Sequence, residues 1–557
     1  MDMQRAFLAI IISFIILIGY QYYFVPVQTP LVPNHDIQQQ GNAPTDAPPA
    51  ATGSASLPNV TPVTKTAPTV ELNPTARDIT IQTPLYTAVF FEQGGGLKSF
   101  VLKKYQVAKA DDAALMEMIT TSNPAELPMI FSLDSGSVSD LPFFKSDTYS
   151  LNVVEGGQAE LSMIANDIST GIKIERHLTF TADSYLIDSR YTVTNTGSIP
   201  LQISPAMAMT NAPFESGSSS SRYMFSGPVA YVNNELIEIK PKKLDQGPVP
   251  LQGTVSWAAH VDNYFMCALI PEKSNSALAT VNLIAENTVR TVLTDGITKL
   301  TPGASKIFQY EGYFGPKKLA YLKQTGYDLP EAINFGWFDI LAKPMLMLLN
   351  TFYAILGNYG IAIILLTCLI KGAFWPITQK GMKSMKNMQK LQPKIAKLKE
   401  KYKENPTEMN KEMMALYKTY KVNPVGGCLP MIIQVPFFFA LYRVLMAAIE
   451  LRHAPFMLWI NDLSAPDRLM IGFDIPILHG IPVLTILMGA SMFLQQKMTP
   501  TTADPTQAKI MQFLPIIFTA MFINFASGLV LYWFVNNLLS ILQQQLINRQ
   551  TGAGANR

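Results

Sequence analysis

ILLTCLIKGAFWP, residues 364–376, is the stretch on which the fold turns. From Ile361 to Ile370 every residue is apolar or nearly so; then comes Lys371, and then the apolar Ala373, Phe374 and Trp375. The run reads as a membrane-spanning helix, and an ionisable side chain inside such a helix is expensive enough to mark function by default. On a helix, Thr367, Lys371 and Thr378 fall on one side, with Ile364 and Trp375 beside them. A buried ammonium normally seeks a carboxylate. Within the later apolar runs there is none; Glu450 lies at an outer end, and the polar company is Gln434, Asn524, Asn536 and Asn537. Two readings follow. Lys371 stands in a hydrated cavity, open to one side, whose positive charge attracts acidic or polar segments. Alternatively it snorkels toward Lys380, nine residues and roughly 13 Å along the helix. Residue physics alone leaves both open. Arg443, in FFFALYRVLMAAIE, reads as a snorkel.

Further apolar runs flank this one. Candidate spans are about 357–377, 426–448, 481–497, 510–525 and 528–547. A sixth precedes them: Arg5 followed by AFLAIIISFIILIGY and the aromatics of QYYF predicts an uncleaved signal anchor over 1–25. Residues 26–76 follow as a linker, with ten prolines and four charged residues between Pro26 and Pro74, too poor in apolar groups to form a core. Hydrophobic residues make up 48% of the 557, which suits a chain part membrane, part soluble.

Over 77–343 the period changes to two. IKIERHLTF (172–180) and YLIDSRYTVTNTG (185–197) alternate apolar and polar residues and end in turn formers, which predicts a large antiparallel β-sandwich. Gly94–Gly96 reads as a turn between strands, since no helix follows to make it a phosphate cradle.

Charge orients the whole. Residues 376–422 hold twelve Lys and four Glu, a net of +8, whereas 77–343 hold 21 Lys and Arg against 27 Asp and Glu, a net of −6. Positive-inside placement puts the lysine-rich loop in the cytoplasm, the sandwich outside, and both termini back in the cytoplasm. The loop carries two apolar stripes: Met388, Leu391, Ile395, Leu398 and Tyr402, then Met409, Met413, Leu416, Tyr417 and Tyr420. Asn405-Pro406 separates them, so a helical hairpin is expected over 379–421. It reads as a docking arm for an anionic partner such as ribosomal RNA, or as a solvated hairpin that enforces topology.

The three cysteines, Cys267, Cys368 and Cys428, lack metal-ligand spacing, and the five histidines never approach a zinc-helix pattern. No metal, cofactor or nucleotide site is expected. A small-solute transporter would show paired half-helices or repeats, and a periplasmic enzyme would need convergent histidines and carboxylates; neither is visible.

Five motifs carry a family resemblance: LQPKIAKLKEKYKENP, EMMALYKTYKVNPVGGCLPMIIQVPFF, APFMLWINDLSAPD, QQKMTPTTADPTQAKIMQFLPIIFT and SGLVLYWFVNNLLSILQQQLI. Across 360–548, and more loosely over the first span and the β-domain, the chain resembles the Oxa/Alb family of membrane protein insertases in its YidC-type, Gram-negative form. The resemblance implies an insertase core over 344–548, a five-helix bundle around a hydrophilic groove, with a tail at 549–557. It places Lys371, Thr367, Gln434, Asn537, Tyr532 and Trp533 where clients pass, with Lys371 at a position the family usually fills with arginine. It implies no enzymatic activity. The implied partners are nascent membrane proteins, the lipid bilayer, Sec translocon subunits, and the ribosome or signal recognition pathway at Lys390, Lys394, Lys397 and Lys401. Location would be the bacterial inner membrane, multi-pass, with action as a monomer. The outer domain resembles a galactose-mutarotase-like sandwich, from which no sugar chemistry follows.

Overall fold

A computed structural model describes residues 73–109, 112–138, 141–167, 170–214, 225–272, 278–402, 405–420, 429–472, 480–498 and 505–553. The expected first span, the linker as far as residue 72, Cys428, the hairpin positions 403, 404 and 421, and the tail beyond 553 lie outside the described residues. The chain divides into two compact units. One, residues 1–64 with 503–511, enters the described residues only as the first turns of a helix. The other, residues 65–502 with 512–557, holds the sheets and the rest of the helices.

Alternation along 172–180 and 185–197 produces the strands Ile172–Thr181 and Leu186–Asn195, paired antiparallel with Ile172 opposite Asn195. They lie in an eight-stranded sheet that also contains Val255–Val261, Phe265–Pro271 and Ser305–Pro316. Two five-stranded sheets pack on it through aromatic rings. Phe90 meets Phe180 edge-on at 6.0 Å, Phe100 meets Phe314 at 5.5 Å, and Phe131 stacks on Tyr191 at 4.1 Å between centroids. Such pairs add to the burial that holds the layers together. One pairing departs from the expected antiparallel pattern: Asp78–Gln82 runs parallel to Ser150–Asn152. The strands lying between them in sequence provide the long crossover that parallel pairing needs.

Gly94 and Gly95 adopt left-handed φ of 80° and 64°, as a turn requires. Gly95 answers a second demand. Arg176, fully buried, donates Nη1–H to the Gly95 carbonyl, Nη2–H to the Met129 carbonyl at 3.5 Å, and Nε–H to Ser189 Oγ at 3.2 Å. A Cβ at 95 would lie 2.8 Å from Arg176 Nη1 and 2.9 Å from the Phe144 ring.

Seven longer helices follow the sandwich: α1 Asp339–Leu356, α2 Tyr359–Lys401, α3 Pro406–Thr419, α4 Leu429–Ala447, α5 Val483–Met498, α6 Pro505–Phe522 and α7 Ser527–Ala553. Among the described residues two stretches are helical, long and apolar enough to cross a membrane, Gly336–Leu356 and Tyr359–Leu398; Ile433–Ala447 and Gln512–Phe522 are shorter apolar helices. Helix α1 was not among the expected spans. Pro344 reads as a boundary in sequence, yet the helix runs through it. Helix α2 likewise passes Pro376 and Pro393 unbroken, so the second span and the first arm of the lysine-rich loop are one 43-residue rod. Asn405 caps α3 by accepting from Glu408 N–H at 3.2 Å, with Pro406 in the first turn. Met388, Leu391 and Ile395 of α2 pack with Tyr417 of α3.

Candidate functional site

Helix α7 packs against both α2 and α5, and its sequence provides a polar stripe for each. Asn536, Ser540 and Gln543 follow i, i+4, i+7 spacing and share one face; Asn537 and Gln544, seven apart, share another. The first stripe meets the face of α2 that carries Thr367, Lys371 and Thr378. Lys371, only 5% exposed, donates to Ser540 Oγ at 2.7 Å and to Asn536 Oδ1 at 3.2 Å. Two turns further along α2, Gln543 Nε2 donates to Thr378 Oγ1 at 2.7 Å. Gln434 of α4 completes the group by donating Nε2–H to the same Asn536 oxygen at 3.2 Å. A single amide oxygen thus links α2, α4 and α7.

Among the described residues no carboxylate lies within ion-pair distance of Lys371. An ammonium carries three donors, and two have protein acceptors here. Chemically the site is a positive charge with one hydrogen bond to give, bordered by neutral amides.

The other predicted residues divide. Thr367 is buried one turn before Lys371, its hydroxyl donating to the Ile363 carbonyl at 2.7 Å within its own helix. Asn537 is not brought to Lys371: it lies on the second stripe and donates Nδ2–H to Ser491 Oγ of α5 at 3.0 Å. Tyr532 and Trp533 join an aromatic cluster with Phe438 of α4 and Phe518 and Phe522 of α6; Trp533 meets Phe438 edge-on at 4.7 Å. Asn524 accepts from Arg468 at 2.9 Å, away from the lysine. Ser540 was missed altogether, although its spacing from Asn536 and Gln543 is a readable signal.

One end of this bundle is closed by the loop 448–472. Asn358 accepts from Ile361 N–H to cap α2 and donates Nδ2–H to the Phe456 carbonyl at 2.9 Å. The Phe456 ring lies so near Gly360 that a Cβ there would clash at 1.9 Å. Ser527 and Gly528, at the start of α7, donate to the carbonyls of Asp462 and Leu463. The sandwich holds the same loop: Lys109 donates to the carbonyls of His453 and Asn461, and Arg452 donates to the Val107 carbonyl at 2.9 Å.

At the other end the hairpin presents Lys390, Lys394, Lys397 and Lys401, all exposed. Lys394 lies over the Tyr420 ring at 4.4 Å and Lys401 over Tyr402 at 5.0 Å. A recess of about 540 Å³ opens between α5 and α6, lined by Ile486, Gly489, Phe493, Ile516 and Thr519 among others. It contains none of the predicted residues.

Compared with known proteins, residues 351–553 match the family described as 60Kd inner membrane protein, and residues 78–348 match the YidC periplasmic domain. The chain is 40% identical over 553 residues to a protein of Geotalea daltonii named membrane protein insertase YidC, covering 99% of this chain and 100% of that one. A protein of Syntrophobacter fumaroxidans with the same name is 39% identical over 552 residues, covering 98% and 99%. Among solved structures, an active YidC insertase crystal structure with its first transmembrane domain resolved aligns with a TM-score of 0.37 at 20% identity, covering 84% of this chain and 91% of that one.

Proposed function

The chain belongs to the YidC family of membrane protein insertases, and from that premise we propose that it inserts nascent membrane proteins into a bacterial inner membrane by drawing their polar segments to Lys371. Insertion makes and breaks no covalent bond, so the protein is not an enzyme. The observation that carries the mechanism is an ammonium that, among the described residues, is held by Asn536 and Ser540 alone, with a donor to spare. An uncompensated charge at that depth favours water and favours an acidic client tail. Burial of the client's apolar helix of about twenty residues then supplies the free energy.

In this reading the spans are α2, α4, α5, α6, α7 and the apolar segment within residues 1–25. The sandwich and the loop 448–472 face the periplasm, and the hairpin and both termini face the cytoplasm. Thr367, Gln434, Tyr532 and Trp533 line the client's path. Lys390, Lys394, Lys397 and Lys401 recruit the ribosome or the signal recognition pathway, and Sec translocon subunits share some clients. In the same reading the protein acts as a monomer.

The test is site-specific photo-crosslinking to a ribosome-stalled nascent chain. Probes at 371 and at 533 should both give adducts with the client's apolar segment. A client that inserts without crosslinking from either position would sink this reading.

A further inference from the structure

We propose that Asn536 and Ser540 are positioning residues shaped for an ammonium, so that the site is specific for lysine at 371 and aims its remaining N–H at the client. The inference rests on the reading of Lys371 as the charge that attracts clients.

The geometry is that of two oxygens stacked along one helix face, four residues apart, about 6 Å of rise. Both point at the same nitrogen, at 2.7 and 3.2 Å. Each oxygen is itself pre-set. Ser540 Oγ–H donates back to the Asn536 carbonyl at 2.8 Å, so its proton is committed and its lone pairs are left for the ammonium. Gln434 donates into Asn536 Oδ1 at 3.2 Å, which turns the amide oxygen, not the amide nitrogen, toward Lys371. Gln434 therefore acts through Asn536.

Single oxygens in a column suit a compact point charge with three divergent donors. A guanidinium presents its donors as a planar fork and is served best by acceptors spread in one plane. Arginine at 371 would keep the charge yet find only one of its edges met. Ser540 should therefore matter when residue 371 is lysine and cease to matter when it is arginine.

A four-protein cycle tests this in full-length protein reconstituted into phosphatidylethanolamine and phosphatidylglycerol vesicles: wild type, Ser540→Ala, Lys371→Arg and the double variant. The clients are a single-span protein with an acidic translocated tail and its neutral-tailed twin, with insertion read by protease protection. In the lysine background Ser540→Ala should slow the acidic client about tenfold or more, the lower end for one hydrogen bond to a charged group, and the neutral client less than about twofold. In the arginine background Ser540→Ala should change the acidic client less than about twofold. Ser540→Thr, which keeps the hydroxyl, should restore the lysine protein. Should Ser540→Ala not accumulate, Ser540→Cys keeps the volume, loses the strong acceptor and is expected to behave as the alanine. Equal losses in both backgrounds would make Ser540 a packing residue, and no loss with lysine would remove its role; either overturns the proposal. Lys371→Ala inserting the acidic client at the wild-type rate is a different failure, and overturns the functional reading beneath it.

Discussion

Two buried cations, Arg176 in the sandwich and Lys371 in the helical bundle, solve the same electrostatic problem in opposite ways. Neither has a carboxylate at ion-pair distance among the described residues. Arg176 is met by backbone carbonyls of Gly95 and Met129 and lies 5.3 and 5.0 Å from the Phe90 and Tyr191 ring centres. Those carbonyls belong to turns anchored by the strands beside them and cannot turn aside, so the charge ties distant segments together. Lys371 is met by two side-chain oxygens on one neighbouring helix, one of them shared with Gln434. Side chains can let go. The first arrangement is a strut; the second, in the proposed function, leaves a charge available to a visitor.

The largest expected effect separates the two. Lys371→Glu should reduce insertion of acidic-tailed clients by tenfold or more, since an attraction of up to about 4 kcal/mol to a client carboxylate at 4 Å and an effective dielectric of 20 becomes a repulsion of the same size, a shift of up to about 8 kcal/mol. Lys371→Arg, which keeps the charge but not the aimed N–H, should fall between wild type and Lys371→Glu. Arg176→Ala should instead lower the sandwich's stability by about 3 kcal/mol, through lost packing and orphaned carbonyls, while activity per folded molecule stays within about twofold. The measurements are insertion rate and calorimetric midpoint on the same preparations. If both substitutions act on the same readout, the contrast between strut and available charge is wrong.

A smaller effect concerns access. In a cysteine-free background, cysteines at 371 and at 434 should react with a small charged thiol reagent added from the cytoplasmic side and not from outside. Phe456→Ala, which removes the ring seated on Gly360, should admit the outside reagent and raise labelling at 371 severalfold. Labelling of the parent protein equally from both sides would replace a half-open site with a channel.

These contrasts were unequally legible in the sequence. A lysine within an apolar helix and the amides near it could be read directly, because hydropathy and spacing are local properties. Which of two adjacent asparagines faces the lysine could not. Asn536 and Asn537 differ by about 100° on α7, and that helix is polar on both sides, so phase alone does not choose. Matching 536, 540 and 543 to 367, 371 and 378 resolves it, but only once α2 and α7 are known to touch. Gly94–Gly96 was legible as a turn from composition. That it receives a guanidinium from Arg176, 81 residues away, was not, since nothing local marks a contact made by folding. Helix α1 was hidden by Pro344, which ends helices more often than it sits inside them.

His260 sharpens the comparison from a third side, because histidine can shed its charge where arginine cannot. It is buried in the strand Val255–Val261, opposite Cys267, with the Phe214 ring edge-on at 5.5 Å and, among the described residues, no hydrogen-bond partner at either ring nitrogen. Burial pushes its pKa down from 6.5 to about 4, so the folded protein holds it neutral. The sign follows from proton counting. Above about pH 6.5 neither the folded nor the unfolded state binds the proton, and stability does not depend on it. Between about pH 6.5 and 4 the unfolded chain binds the proton and the folded chain does not, so stability falls as pH falls, by about 3 kcal/mol across the window. His260→Leu, similar in bulk and without a titrating group, should remove that share of the fall. Calorimetry of the full chain should show the variant gaining on wild type as pH drops from 7 to 4.5, while insertion at pH 7 stays within about twofold. Parallel curves would mean that His260 finds a partner on protonation, and that the sandwich can host a charge without carbonyls built to receive it.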